Sequence, residues 1–322
     1  MSLSSGDEHH PQSFASFPDM QWIPPGRFLM GSNRHYSDEA PVREVEVDGF
    51  FIDRFAVTNR EFARFVEETG YVTSAERPLD ASRYPGADPA LLVPGSAVFK
   101  QPASRSDTRE LSWWQHVPGA SFRHPEGPGS TIEDRWDHPV VHVTYEDAEA
   151  YAAFVGKELP TEAEWERAAR GGLHGAEFAW GDDPLPHGRP MANYWQGEFP
   201  WENLAIDGFE RTAPVDAFPP NGFGLHQTIG NVWEWTADFY VARHARHDCC
   251  LRENPRLLRE MSLDPASGLP RKVLKGGSFL CSKNYCFRYR PAARFPQTID
   301  TSTCHIGFRC VKRVKRSPSV RE

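Results

Sequence analysis

Three helices announce themselves by their caps, and nothing in the sequence signals a long one. Thr58-Asn-Arg-Glu61 carries the pattern in which a hydroxyl and a carboxylate satisfy the free N–H groups of a first turn. Phe62, Phe65 and Val66 then fall on one face, and Gly70 ends the run. Thr144-Tyr-Glu-Asp147 repeats the pattern with Asp in place of Glu, followed by Ala148, Tyr151, Ala152 and Val155 and closed by Gly156. Thr161-Glu-Ala-Glu164 does so again after Pro160, with Trp165, Ala168 and Ala169 before Gly171-Gly172. Strand signals are equally short. Trp22 to Gly31 reads as a strand entering a turn, and Glu44 to Phe55 alternates apolar and charged residues as a half-buried strand does. His138-Pro-Val-Val-His142 resembles a metal motif, but residues i and i+4 of a strand lie about 13 Å apart. It reads as a strand with polar anchors.

The chain between these elements is irregular. Glycine (25) and proline (28) fill about a sixth of the 322 positions, above the usual ~12 %. An aromatic share of 12 % argues against disorder, which is poor in aromatics. The expectation is an α+β domain, loop-rich and irregular, held by large side chains such as Trp113, Trp114, Trp233 and Trp235. There is no repeat, low-complexity tract or linker, so a single domain is expected over residues 18–312. A disordered tail (1–17) and a basic tail (313–322) flank it, and residues 242–271 form a long polar excursion.

A formal charge of −8 argues against nucleic acid as a partner. No run approaches the ~18 apolar residues of a membrane span. The first ten residues lack the basic segment and apolar core of a signal peptide, so a cytoplasmic monomer is expected. Six cysteines are too few for a disulfide scaffold at this length. Cys249-Cys250 reads as a pair of exposed thiols, and Cys304 and Cys310 as buried small side chains.

Cys281 and Cys286 stand apart, between Lys275-Gly-Gly-Ser278 and Phe287-Arg-Tyr-Arg290. Folded together, they could form a disulfide, grip a soft metal or do thiol chemistry. A helix would set residues five apart about 140° from each other, so a bent loop is required. Two thiolates without further donors suit Cu(I), whereas zinc takes four ligands.

Several phrases together resemble the formylglycine-generating enzyme family, also called sulfatase-modifying factors. They are Met30-Gly31-Ser32, Leu159-Pro-Thr-Glu-Ala-Glu-Trp-Glu166, Ala192-Asn-Tyr-Trp-Gln-Gly-Glu-Phe-Pro200, Pro219-Pro-Asn-Gly-Phe-Gly224, Gly230-Asn-Val-Trp-Glu-Trp235 and Gly307-Phe-Arg-Cys310. The resemblance covers roughly residues 20–312 and implies a single irregular domain distantly related to C-type lectins. Catalytic members carry Cys-x4-Cys followed by Arg-Tyr-Arg and Ala-Ala-Arg, which Cys281, Cys286, Arg288–Arg290 and Ala292–Arg294 match; non-catalytic paralogues lack the cysteines.

The activity the resemblance implies is an O2-dependent oxidation. Cys281 and Cys286 would hold Cu(I), and the cysteine of a Cys-x-Pro-x-Arg motif in an unfolded or nascent sulfatase would become Cα-formylglycine. Ser278 matches a serine of the family's active-site segment, while Ser282 stands where the family often has histidine. The resemblance also implies two structural Ca2+ sites. The first maps onto Asn193, Tyr194, Asp207 and Phe209, and the second onto Gln227, Gly230, Val232 and Glu234, with Gln227 replacing the family's Asn or Asp. Two alternatives share the fold: a non-catalytic binding module, and an iron-dependent sulfoxide synthase, which needs a further helical domain to supply histidines.

Overall fold

The computed structural model describes residues 17–104, 113–242, 252–253 and 259–314. All three capping boxes close as the sequence dictates. Thr58 accepts from the Glu61 N–H while the Glu61 carboxylate accepts from the Thr58 N–H, opening α1 (Asn59–Thr69), which stops at Gly70 with φ 68°. Thr144 with Asp147 opens α2 (Tyr145–Phe154), and Thr161 with Glu164 opens α3 (Glu162–Ala169). A fourth box, Thr73 with Glu76, caps a single 3-10 turn.

Each of the two expected N-terminal strands is in fact a pair of strands. Pro24-Pro25 supplies no N–H to a ladder, so the chain breaks into β1 (Met20–Ile23) and β2 (Gly26–Met30). Asp48-Gly49 separates β3 (Arg43–Val47) from β4 (Phe50–Asp53). Gly49 is required there: a Cβ would lie 2.4 Å from the Trp22 ring. The four strands then divide between sheets. β1 and β4 join β12 (Val311–Arg313), while β2 and β3 join β8 (Arg252–Glu253). A hairpin, β5 (Gly95–Phe99) with β6 (Trp114–Pro118), stands apart. The fourth sheet runs β10 (Arg294–Thr298), β9 (Arg271–Lys275), β7 (Trp233–Phe239), β11 (Ile306–Gly307), antiparallel except where β11 meets β7.

The main core packs Phe62 and Phe65 of α1 against Tyr151 of α2, Phe122 and Phe308, with ring centroids 5.1–6.3 Å apart. Trp165 and Trp235 are fully buried, and each indole N–H has an acceptor, Glu234 and the Val143 carbonyl. Trp113 and Trp233 are buried as expected, and so are Cys304 and Cys310.

Residues 138–142 are not a strand. Pro139 makes one isolated bridge to Thr58, and His142 adopts φ 61°, which no strand contains. The polar anchors are real: His142 bonds Ser96 Oγ (2.7 Å) and the Pro125 carbonyl (2.8 Å), and His138 bonds Thr212 (3.0 Å). Residues 1–16 and 315–322, which include most of both expected tails, lie outside the described residues, as do Cys249 and Cys250. Arg313, assigned to the basic tail from sequence, belongs to β12 and pairs with Glu164 at 2.7 Å. Among the described residues no helix is long and apolar enough to cross a membrane.

Candidate active site

The cysteine segment begins where β9 ends. Lys275 is followed by Gly276 (φ 91°) and Gly277 (φ 74°), a left-handed pair that turns the chain back on itself. A Cβ on Gly277 would sit 2.7 Å from the Arg288 carbonyl oxygen, so only glycine lets the two limbs of the loop approach. Ser278 and Cys281 close the next turn, with the Cys281 N–H donating to the Ser278 carbonyl at 2.9 Å. A second turn follows, in which the Cys286 N–H donates to the Ser282 carbonyl at 2.9 Å. The bent loop required by the spacing is these two turns in succession.

They bring the sulfurs to 3.5 Å. A disulfide would need about 2.05 Å, and both thiols are free. Two thiolates that each reach a metal at about 2.3 Å can lie up to ~4.6 Å apart, so this spacing suits a shared ion. Cys281 is buried and Cys286 is half-buried.

Their surroundings make them unequal. Burial opposes a Cys281 thiolate, but the Cys286 thiol, the Ser278 N–H and hydroxyl, and the Arg288 charge outweigh it and hold its pKa below the usual thiol value. Cys286 is pushed well above that value by the same thiol–thiol bond, by burial and by the Cys281 charge, against the pull of Arg288 and Arg290. Cys281 is therefore the sulfur that gives up its proton first.

A distant loop grips the segment that follows Cys286. The Phe287 N–H donates to the Tyr36 hydroxyl (3.0 Å), Arg288 pairs with Asp38 (3.2 Å) over the Tyr36 ring, and Arg290 pairs bidentately with buried Glu39 (2.8 and 2.5 Å). Arg294 reaches Glu162, the Asp38 carbonyl and the Val241 carbonyl. Sequence reading missed Tyr36, Asp38 and Glu39. The available signal was an adjacent acid pair, Asp38-Glu39, in a chain with two arginines at matching alternate positions, Arg288 and Arg290.

Beside the thiols lies an aromatic shelf. Tyr285 is 50 % exposed and stacks on Phe199 at 4.4 Å, with Trp113 edge-on at 5.9 Å. Two large cavities lie elsewhere. One of about 680 Å³ contains Phe55, Trp136 and Asp137, another of about 550 Å³ contains Tyr84, Tyr145 and Lys272, and neither contains a cysteine.

The sulfatase-modifying factor enzyme 1-like domain model matches residues 6–314. The chain belongs to this family. The formylglycine-generating enzyme of Mycobacterium tuberculosis is 53 % identical over 296 residues, covering 90 % of this chain and 96 % of that protein. A Bos taurus relative named inactive C-alpha-formylglycine-generating enzyme 2 is 40 % identical over 311 residues, covering 93 % of this chain and 90 % of that protein. Among solved structures, PvdO from Pseudomonas aeruginosa superposes with a TM-score of 0.62 at 22 % identity, covering 92 % and 94 %. The fold is thus the one the resemblance implied: a single irregular domain.

Two further groups of residues were expected to hold calcium. In the first, Asn193 Oδ1 is buried with no hydrogen-bond partner. The Tyr194 carbonyl and Asp207 Oδ2 converge on one donor, the Gln196 amide. Burial raises the Asp207 pKa despite that amide and the Phe209 N–H. An orphaned buried oxygen, on the residue next to one of two converging acceptors, is what a hard cation takes, and this set fits one. In the second, Gln227 Oε1 is also without a partner, but Glu234 accepts from Trp165 and from both Arg309 Nε and Nη2. A carboxylate offers about four acceptor positions, so one remains, and this set fits a cation less well. Among the described residues no group of three or more His, Cys, Asp and Glu side chains could hold a metal ion.

Proposed function

We propose that this protein oxidises a cysteine in a sulfatase polypeptide to Cα-formylglycine and thereby activates the sulfatase, with Cys281 and Cys286 as the residues that do so. The observation that carries this reading is the pair of free thiols at 3.5 Å inside a cationic loop. Family membership alone does not, because a relative named inactive is 40 % identical over nearly the whole chain.

Cys281 and Cys286 would hold Cu(I), whose preference is for thiolate ligands. When bound, the metal supplies the redox steps by which O2 oxidises the target cysteine. The protein's share is placement and charge. Ser278 lowers the pKa of the Cys281 thiol through its N–H and hydroxyl, and Arg288 and Arg290 favour negative charge at the pair. Tyr285 on Phe199 offers an apolar face beside the thiols, which would seat the proline of a Cys-x-Pro-x-Arg segment. The target cysteine would give up one hydrogen from its β-carbon and one from its thiol, with both electrons passing to O2, and water would then add to the thioaldehyde and expel the sulfur as hydrogen sulfide, leaving the aldehyde. Asn193, Tyr194, Asp207 and Phe209 would bind Ca2+ and stiffen the loop that carries Phe199. Free thiols of this kind suit a reducing, cytoplasmic setting.

The test is to incubate the protein with Cu(I), O2 and a Cys-x-Pro-x-Arg peptide and follow the aldehyde by mass spectrometry. Wild type should form it, and Cys281→Ala and Cys286→Ala should not. An inert wild type, or a fully active alanine variant, ends this reading and leaves the binding-module alternative.

A further inference from the structure

The two sulfurs are held by different means. Cys281 is buried and fixed through its N–H, its sulfur and its carbonyl. The N–H donates to the Ser278 carbonyl (2.9 Å), the sulfur accepts from the Ser278 N–H (3.4 Å), and the carbonyl accepts from the Trp195 N–H (3.0 Å). Cys286 is half-buried, and its backbone bonds stay within its own turn. Its N–H donates to the Ser282 carbonyl (2.9 Å) and its carbonyl accepts from the Arg288 N–H (2.8 Å). The middle of that turn, Lys283, Asn284 and Tyr285, is exposed. A turn whose backbone is tied to itself and faces solvent opens at low cost, and Cys286 would swing with it.

Tyr36 opposes that swing. One peptide bond after Cys286, the Phe287 N–H donates to the Tyr36 hydroxyl (3.0 Å), and at the next residue the Arg288 guanidinium lies 3.8 Å from the centre of the Tyr36 ring. One side chain thus grips two consecutive residues, the first with its polar end and the second with its face. Asp38 keeps Arg288 on the ring by pairing with it at 3.2 Å. The loop that carries Tyr36 is itself tied at both ends. The Gly31 N–H donates to Glu166 (2.7 Å) at one end, and buried Glu39 accepts from Arg290 (2.8 Å) at the other. Between them the Ser32 N–H reaches the Glu39 carbonyl (3.2 Å), and the Glu39 N–H closes a turn on the Tyr36 carbonyl (3.0 Å). Tyr36 is therefore a braced post, and the chain leaving Cys286 is fastened to it.

We propose that Tyr36 is the positioning residue that holds Cys286 at metal-sharing distance from Cys281, through its hydroxyl on Phe287 and its ring under Arg288. The purpose of that hold rests on the Cu(I) reading above. A two-thiolate site binds an ion only when both sulfurs reach it together, so freedom gained by the movable sulfur is lost from the affinity. Tyr36 acts through the backbone, and its effect falls on Cys286 and not on Cys281.

The test has two readouts, one of which needs no copper. Cu(I) affinity is measured without oxygen, by competition with bicinchoninate, for wild type, Tyr36→Phe and Tyr36→Leu. Tyr71→Phe is the control, since it removes a phenol hydroxyl that bonds Asp147 of α2 (3.0 Å). In parallel, amide hydrogen exchange is followed through residues 278–290 of the metal-free proteins. Tyr36→Phe should weaken Cu(I) binding about three- to tenfold, the effect of one lost hydrogen bond. Tyr36→Leu should weaken it further, because Arg288 then loses its aromatic seat. In both variants exchange at the Cys286 amide should rise by a similar factor, while that at the Cys281 amide stays within about twofold of wild type. Tyr71→Phe should move neither readout. Unchanged exchange at Cys286 in Tyr36→Phe overturns the assignment, and so does an equal rise at Cys281, which marks general loosening. So too does an affinity in Tyr36→Phe equal to that of a wild type that binds Cu(I), or an equal loss of affinity in Tyr71→Phe. If exchange rises at Cys286 alone but wild type takes up no Cu(I), the hold on Cys286 stands and the copper reading falls.

Discussion

Beneath the cysteine loop, Glu166 of α3 is almost fully buried and accepts from Lys275 Nζ (2.9 Å), Arg170 Nη2 (2.7 Å) and the Gly31 N–H (2.7 Å). Burial alone would raise its pKa; Lys275 and Arg170 overcome that and bring it from 4.5 to about 2. At roughly 1.4 kcal/mol per pH unit, the difference corresponds to about 3 kcal/mol of folding stability. That matches the ~3–5 kcal/mol typically lost when one partner of a buried pair is removed. Because the folded value is the depressed one, the contribution is complete above about pH 4.5 and is lost as pH falls towards 2. Glu166→Gln should therefore unfold in urea with about 3 kcal/mol less stability than wild type at pH 7. The gap should shrink to less than half of that by pH 3, because the wild type loses what the variant never had. Comparing the two proteins at each pH cancels the other carboxylates. A gap that stays constant from pH 7 to pH 3, or that is near zero at pH 7, would refute the reasoning. It would mean that Glu166 is no better stabilised as an anion in the fold than in the unfolded chain.

Three other outcomes follow from the geometry. Gly277→Ala should cost at least about 2 kcal/mol in thermal unfolding, since it adds backbone overlap at 2.7 Å to a left-handed conformation; Gly70→Ala, with φ 68° and nothing within 4 Å, should cost only about 1 kcal/mol, and equal costs would show that the close approach is not tight. His142 is held to about 4 by burial, so its neutral form is favoured in the fold and stability should fall as pH drops from 6.5 towards 4, by about 3 kcal/mol. His142→Gln should flatten that part of the urea profile, and an unchanged slope would count against it. Calcium at a hundredfold excess over its dissociation constant should stabilise wild type by about 2.7 kcal/mol and leave Asn193→Ala unmoved in a melting experiment; a wild type that melts identically with calcium and with chelator rules out the Asn193 site.

What the sequence disclosed was what is local. A capping box needs four residues, and all three expected ones formed, because hydroxyl, carboxylate and N–H lie within one turn of each other. The cysteine pair was legible for the same reason, as a five-residue spacing that only a bent loop can close. The clamp around it was not. Tyr36 lies 251 residues from Phe287, and Glu39 is equally far from Arg290; no periodicity connects them. His138–His142 was misread because five residues alone cannot tell whether a neighbouring strand exists to pair with them. The N-terminal strands were misread because the two halves of each belong to different sheets, a partition fixed by β8 and β12 more than two hundred residues later.

The same distinction explains why so large a body shared with relatives says little about chemistry. The buried pairs Glu166–Lys275, Glu162–Arg294, Glu39–Arg290 and Glu234–Arg309 tie α3, the sheet and the loops into one rigid frame. Such a frame can be kept whether or not anything reacts on it, and a relative named inactive is 40 % identical over nearly all of this chain. The proposed chemistry would need only two sulfurs, the Ser278 groups that lower the pKa of one of them, and the arginines that favour negative charge there. Arg288 and Arg290 serve both ends: their pairing with Asp38 and Glu39 fixes the loop, and their charge acts on the thiols. A substitution that removed the cysteines alone would leave every one of these ion pairs intact. Such a variant should fold as wild type does and lose only the oxidation, which makes the Cys281→Ala and Cys286→Ala pair a test of function uncontaminated by stability.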